Sequence, residues 1–266
     1  MAEKRDVTVH VIHVAAGKAA ARRFEQDVAQ RLAEVSAGDF DVRMDVLTAK
    51  RPAEVILEHA QRLDVDAIFM GKHGSRTTDR LLTYLGAYGQ VIGTTAEYVV
   101  RTADRPVLLT SPRFVHGPLD IRRVLVAIDF STHTPSAIRL GRELGSMFDA
   151  EVEFIHVRNG SASIIPPDAE LDSTPIDFCR FIVRRGQVDR TVVERVRERG
   201  IDLLVINSHG QTSDRRARLG EVADKLIRSA PCSVLTVKSF GKALVTPASE
   251  DRELASRFLS EITAPL

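Results

Sequence analysis

The chain has 266 residues, 44% hydrophobic and 27% charged, and its 37 basic and 36 acidic side chains leave a net charge of +1. This length and composition suit two globular domains with cores of their own and exclude a disordered chain, while the balanced charge offers no general attraction to nucleic acid or an anionic membrane. No apolar run approaches the ~20 residues of a membrane span and none follows a basic start, so the expectation is a cytoplasmic protein with no membrane or nucleic-acid partner.

In chain order, the β-branched run Val7 to Val14 reads as a strand, and Lys18 to Val35 as a helix, with Phe24, Val28, Leu32 and Val35 at helical spacing. Phe40 to Leu47 alternates like a strand. Pro52 opens a helix whose inner face is Val55, Ile56, His59 and Ala60. Ala67 to Met70 is a short apolar strand of the kind buried on both faces. GKHG, a loop with Gly and Tyr, a helix from about Thr95 and the strand PVLLT follow.

Ser111 to Asp120, with Pro112, Gly117 and Pro118, reads as a linker. Beyond it VLVAIDFS is a strand, and Thr134 before Pro135 reads as a helix N-cap and first-turn pair. Ala137, Leu140, Leu144 and Met147 form one apolar stripe. EVEFIHV is a strand, Asn159 to Asp177 an exposed loop and Phe178 to Val183 a strand. A helix carries Val188, Val192 and Val196, and Ile201 to Lys238 reads as strand, loop, helix and strand. Strands alternating with helices, without tight hairpins, imply right-handed crossovers and a parallel sheet.

The last stretch repeats an earlier one. Asp66, His73 and Gly74 match Asp202, His209 and Gly210 at an offset of 136, and Gly93 and Ala103 match Gly220 and Ala230 at 127, so the first copy carries nine extra loop residues. His13-Val14 answers His156-Val157 at 143. Two copies of one α/β unit organise the chain.

The segments VLVAIDFSTHTPSAIRLGRELG, EVEFIHV and DLLVINSHG…LGEVADKLIRSAPCSVLTVK resemble the universal stress protein domain over Arg122 to Lys238, and a partial copy covers Val7 to Thr110. The resemblance implies an α/β fold of two such units, each a parallel sheet of order 3-2-1-4-5 with flanking helices, paired through their last strands within the chain or in a homodimer. It also implies a loop of pattern G-x2-G-x9-G-[S/T] that holds ATP in some members. Glycines let backbone N–H groups approach phosphate, and a helix N-terminus supplies positive potential. On this chain the candidate nucleotide-binding residues are Asp129, Ser131, Val157, His209, Gly210 and Gly220 in the second copy, and Gly71, Gly74, Gly93 and Thr94 in the first.

Both copies depart from the pattern. In the second, Asn207 stands for the first glycine and Glu221 follows Gly220 where a hydroxyl is expected, placing a carboxylate where phosphate would sit. Arg215, Arg216 and Arg218 either offset that charge or are simply solvated. The first copy keeps its glycines and Thr94, but 18 residues separate Gly74 from Gly93, and no first strand or acid precedes them. Its loop, with Tyr84 and Tyr88, reads as a packed lid or interface segment. The sequence reading is therefore a non-enzymatic stress-response binding protein acting through pairing and protein partners still to be identified. The alternative is an ATP-binding member with at most slow hydrolysis, ATP being the one cofactor considered.

The division expected is 1–112 for the partial unit, 120–240 for the complete one and 241–266 for a strand–helix tail. Only six residues precede Val7, so the first copy lacks its central strand. The tail offers Ala243-Leu244-Val245 as a strand, Ser249 as a cap, and Leu254, Phe258 and Ile262 on one helix face. It either completes the first unit, in cis or by exchange, or packs as a surface helix; N-terminal truncation is the other explanation. Cys179 and Cys232 read as buried thiols, not a disulfide or metal pair. His10 and His13 face opposite sides of a strand and cannot easily chelate together. No nucleophile elbow, HExxH or P-loop occurs, so neither a catalytic nor a metal-ligating residue is assigned.

Overall fold

A computed structural model describes residues 7–35, 41–73, 92–110, 120–158, 179–208, 219–238, 242–244, 249, 250, 253 and 256. The chain divides into two compact units, Met1–Asp64 and Val65–Leu266.

The first unit contains β1 (Thr8–Ala15), α1 (Lys18–Val35), β2 (Asp41–Thr48) and α2 (Pro52–Arg62). β1 and β2 pair in parallel along their full length, from Thr8 opposite Asp41 to Ala15 opposite Thr48. Pro52 begins α2, where its missing N–H costs nothing, and Ala53 and Ala60 are buried. His59 donates from Nδ1 to the Val55 carbonyl at 3.1 Å. His13 stacks on Phe24 with ring centroids 3.6 Å apart, and burial lowers its pKa.

The second unit contains β3 (Ile68–Gly71), α3 (Thr94–Thr102), β4 (Val107–Thr110), β5 (Arg123–Ala127), α4 (Thr134–Phe148), β6 (Glu151–Arg158), β7 (Cys179–Arg185), α5 (Val188–Arg199), β8 (Leu203–Asn207), α6 (Glu221–Ser229) and β9 (Ser233–Val237). Seven strands form one sheet of order β3-β4-β9-β8-β5-β6-β7. Its last five strands are parallel and follow the expected 3-2-1-4-5 order of a complete second copy. β4 joins β9 antiparallel and β3 joins β4 in parallel, so the two copies are paired through their last strands within the chain.

The compact units and the sequence repeats therefore divide the chain differently. Among the described residues the first copy has four strands, and the strand that β5 supplies to the second copy has no counterpart in it. β1 and β2 form a sheet of their own, while β3 and β4 extend the sheet of the second copy.

The principal core lies between α4 and the sheet, where Val124, Val126, Phe154, Phe181 and Val205 are at most 1% exposed. α4 approaches closely through Gly141 and Gly145, one turn apart. A Cβ on Gly141 would come within 2.9 Å of Val126 Cγ2, and one on Gly145 within 2.6 Å of Val152 Cγ2. On the α5 face, the buried Glu153 carboxylate accepts bonds from Arg195 at 2.9 and 3.2 Å and from Arg199 at 3.0 Å. Cys232 is a buried free thiol.

Two local expectations are corrected. Thr134 is the first residue of α4, not its cap; His133 holds the cap position, and no side chain caps the helix. In the tail, Ala243 and Leu244 are not in a strand, whereas residues 249, 250, 253 and 256 are helical. Lys242 donates its N–H to the Asp104 carbonyl at 2.8 Å, and its ammonium lies 3.0 Å from Asp66. Leu244 packs against the core, and Glu250 lies 3.9 Å from Arg142 on α4. The described part of the tail thus continues along the second unit. Val245, Leu254, Phe258 and Ile262 lie outside the described residues.

Candidate functional site

Ligands of parallel α/β sheets bind outside the carboxyl ends of the strands, where the strand order reverses. In the second copy this is the end of β5, between β6 and β8. The chain leaves β5 through Ile128, Asp129, Phe130 and Ser131. Asp129 Oδ1 accepts the Ser131 N–H at 3.0 Å, and the Ser131 carbonyl accepts the Thr134 N–H at 3.0 Å. Between them Phe130 holds φ +57°, which a bulky L-residue adopts only at a cost of about 1–3 kcal/mol. Its ring stands edge-on to His156 and Phe181, at 4.9 and 6.1 Å.

His156 donates from Nδ1 to the Ile128 carbonyl at 3.0 Å. Since a carbonyl only accepts, the proton sits on Nδ1 and the neutral ring keeps Nε2 as an acceptor. Burial lowers its pKa most, helped by Arg158; the bond to Ile128 and the charge of Asp129 oppose. The ring is therefore neutral at pH 7. Val157, its neighbour, is buried on the other face of β6.

β8 ends at Asn207. The Ser208 N–H donates to the Val237 carbonyl at 2.8 Å, and the Ser208 carbonyl accepts the Gly220 N–H at 2.7 Å, which brings the start of α6 to the end of β8. Gly220 is the cap, at φ −69° and ψ 152°, without a side-chain cap bond. That conformation is open to any residue, so φ alone does not require glycine here. The Glu221 carboxylate does not turn back onto the N-terminal N–H groups. Its side chain is 82% exposed and bonds Lys225 one turn on, at 2.6 Å. The carboxylate still stands in the first turn, where it competes with any phosphate for the positive end of the helix.

In the first copy the same backbone arrangement recurs at the end of β3. Lys72 donates its N–H to the Thr110 carbonyl at 3.2 Å, and its carbonyl accepts the Gly93 N–H at 2.8 Å. Gly93 caps α3 at φ −66° and ψ 144°, Thr94 follows it, and Gly71 closes β3. The fold brings Asp129, Ser131, Val157 and Gly220 to one end of the sheet. Because β4 runs antiparallel to β9, Gly71, Gly93 and Thr94 lie at the opposite end. They form two sites, not one. His209, Gly210 and Gly74, with Tyr84, Tyr88, Arg215, Arg216 and Arg218, lie outside the described residues.

The pairing of the two copies is self-complementary. Leu108 stands opposite Leu235, its own repeat equivalent, with Val107 opposite Thr236 and Leu109 opposite Val234. Arg101 on α3 reaches Asp224 on α6 at 2.7 Å, and the equivalent Arg228 reaches Glu97 at 2.5 Å. Each arginine also bonds the acid of its own helix, at 3.2 and 3.1 Å. The result is a ring of four charges with two-fold character.

Two buried lysines, Lys72 within the GKHG stretch and Lys238 just after β9, close the same interface. Lys72 donates to the Ala230 carbonyl at the end of α6 (2.7 Å), and Lys238 to the Val100 carbonyl in α3. Burial brings both pKa values down to about 8, opposed by Cys232 for Lys72 and by Asp104 for Lys238; burial also pushes the Cys232 thiol up to about 11. A signal for Lys72 lies in the repeat itself, since it answers the small Ser208 in the second copy. Among the described residues, no three or more His, Cys, Asp or Glu are grouped to hold a metal ion, and no helix is long and apolar enough to cross a membrane.

Comparison with known proteins agrees with this architecture. The sequence model of the Universal stress protein family matches residues 1–111 and 170–238, more than half of the chain. Among solved structures, a putative universal stress protein from Pseudomonas aeruginosa UCBPP-PA14 is similar with a TM-score of 0.63 at 14% identity, over 97% of this chain and 88% of that one. A functionally unknown protein from Pseudomonas aeruginosa PAO1 gives 0.62 at 14% identity, over 96% and 88%. A universal stress protein from Archaeoglobus fulgidus DSM 4304 gives 0.55 at 18% identity, over 89% and 86%.

Proposed function

This chain belongs to the universal stress protein family, and we propose that within it the chain is a cytoplasmic, non-enzymatic stress-response binding protein whose phosphate loop no longer accepts a nucleoside triphosphate. The observation that carries this reading is the start of α6. There an exposed carboxylate, Glu221, follows the glycine cap and is held in the first turn by Lys225. Negative charge there lowers the affinity of the helix end for phosphate. The internal pairing of β4 with β9 gives the chain its paired form without a second copy through that edge, so its partners are other proteins.

The alternative is an ATP-binding member with slow hydrolysis. It is supported by Asp129, which stands at the end of β5 where a ribose hydroxyl would meet an acceptor. Calorimetry with MgATP on the full chain and on Glu221→Ser separates the two readings. Under the leading one the wild type shows no saturable binding and the variant gains it. Saturable binding by the wild type would put the alternative first.

A further inference from the structure

We infer that the open edge of β3 is a docking site for an extended segment of another protein, which joins the sheet as a strand parallel to β3. The complete copy shows what such a strand would meet, because β8 is the repeat equivalent of β3 and carries β5 on the corresponding edge. Among the described residues nothing plays the part of β5 beside β3, which ends the seven-stranded sheet.

Three features of this edge match features that β5 satisfies on β8. The first is backbone. The N–H groups of Ile68 and Lys72 donate to the Pro106 and Thr110 carbonyls, at 3.0 and 3.2 Å. Alternate residues of a parallel strand bond to alternate sides, so Phe69 and Gly71 direct N–H and C=O away from β4, toward the open edge. The register is also the same: Phe69 lies opposite Leu108 as Val205 lies opposite Leu235.

The second feature is apolar. Phe69 is 72% exposed, whereas its equivalent Val205 is 0% exposed beside β5 and within the core under α4. A large apolar side chain on an open edge strand is a template for pairing with another chain. The third is a carboxylate. Asp202 Oδ2 accepts the N–H groups of Arg122 and Arg123 at 2.9 and 3.1 Å, which fixes the start of β5. Its equivalent, Asp66, has a side chain 81% exposed that reaches Lys242 at 3.0 Å and can accept the first amides of an incoming strand in the same way. Carboxylate, ring and backbone lie in order from residue 66 to 71. They select a segment with free N–H groups at its start and branched apolar side chains after it.

This chain has no second β5 to give among its described residues. A second copy could donate its own only by opening its core, where Val124 and Val126 are fully buried. The described part of the tail passes Asp66 at Lys242 and goes on to α4 without forming a strand. Strand addition here extends the sheet that β4 and β9 already join, with main-chain bonds for affinity and Phe69 for specificity. The inference rests on the reading above that the partners are proteins, and gives one of them a place and a form.

The test uses the full chain and an N-acetylated, fluorescently labelled peptide of the β5 sequence, Ile121–Asp129, followed by anisotropy. On β8 the Arg123 carbonyl faces the Asp202 N–H at 3.0 Å, so Leu125, two residues on, would face β3 in the peptide. A Leu125→Pro peptide, which lacks that N–H, is the control. The expected result is saturable binding by the wild type, at least tenfold weaker for Phe69→Ser and for the proline peptide, with a smaller loss for Asp66→Ala. Bound peptide should slow amide exchange at Phe69 and Gly71 at least fivefold. Both substituted side chains are exposed, so thermal unfolding of the two variants should match the wild type. Absence of saturable binding overturns the inference, as does equal binding of the proline peptide or equal binding by Phe69→Ser. Phe69-dependent dimers of the free chain in sedimentation would also overturn it, by making a second copy the occupant. MgATP calorimetry probes the Glu221 turn alone, so failure of the peptide to bind leaves the phosphate reading to its own test.

Discussion

The arms β3–α3–β4 and β8–α6–β9 share cap geometry, backbone bonds and reciprocal charges, yet one is finished and the other is not. Val205 on β8 is fully buried between β5, β9 and α4, while its repeat equivalent on β3, Phe69, is 72% exposed. Local structure is the same in both, so burial is decided by the neighbours supplied, here a strand and a helix for which the first copy shows no counterpart among the described residues. The difference shows that the β3–α3–β4 arm takes its sheet partner from the complete copy. Among the described residues the β4–β9 pair is the one strand pairing that joins the two arms.

Breaking that joint should have the largest effect. Leu235→Asp places a charge at a position 4% exposed, opposite Leu108, and should cost about 3–5 kcal/mol or prevent folding. The milder Leu235→Ala should cost about 2–4 kcal/mol in urea unfolding. Leu108, only partly buried, should tolerate the same changes better. Equal costs at the two sites would mean that the two arms contribute alike to the joint.

The next effect comes from the buried lysines. Their folded pKa is about 8 against 10.5 when unperturbed. Below pH 8 both the folded and unfolded chains carry these protons. Between pH 8 and 10.5 the unfolded chain binds more of them, so stability should rise with pH across that window, by roughly 1–3 kcal/mol per lysine. Lys72→Met should remove its share of the rise and raise stability at pH 7, because it takes away a buried charge; Lys238→Met should behave alike. Denaturant midpoints from pH 7 to 10 check this, and a wild-type profile that is flat or falls would contradict it.

Much of this architecture is legible in the sequence, because it rests on local periodicity and on the repeat. Alternating strands and helices set the element order, and Asp66 with Asp202 and Gly93 with Gly220 set the equivalence of the arms. The resemblance to known relatives supplies the 3-2-1-4-5 order that β7-β6-β5-β8-β9 follows. The role of Lys72 is hidden, since its value lies in reaching the Ala230 carbonyl of a helix 158 positions away. Thr134 is misplaced by one residue because Thr-Pro suits a cap as well as a first turn, and only tertiary contacts decide between them.

The smallest effect belongs to the charge ring, and it sharpens the comparison most. Its four side chains are 25–41% exposed, so each cross-arm pair should contribute only about 0.2–1 kcal/mol. Glu97→Arg alone sets three arginines around Asp224 and should be destabilising. Adding Arg228→Glu restores one opposite pair across the joint but puts a second carboxylate beside Asp224 within α6, so recovery should be partial. The four-residue reversal, with Arg101→Glu and Asp224→Arg as well, restores every pair of the ring and should return close to wild type. Recovery at that last step, measured as a coupling energy at low salt and lost at high salt, would show that the ring selects the register of the two arms by charge. Without such recovery the register rests on Leu108, Leu235 and the two lysines, and the ring merely solvates the outer face of the joint.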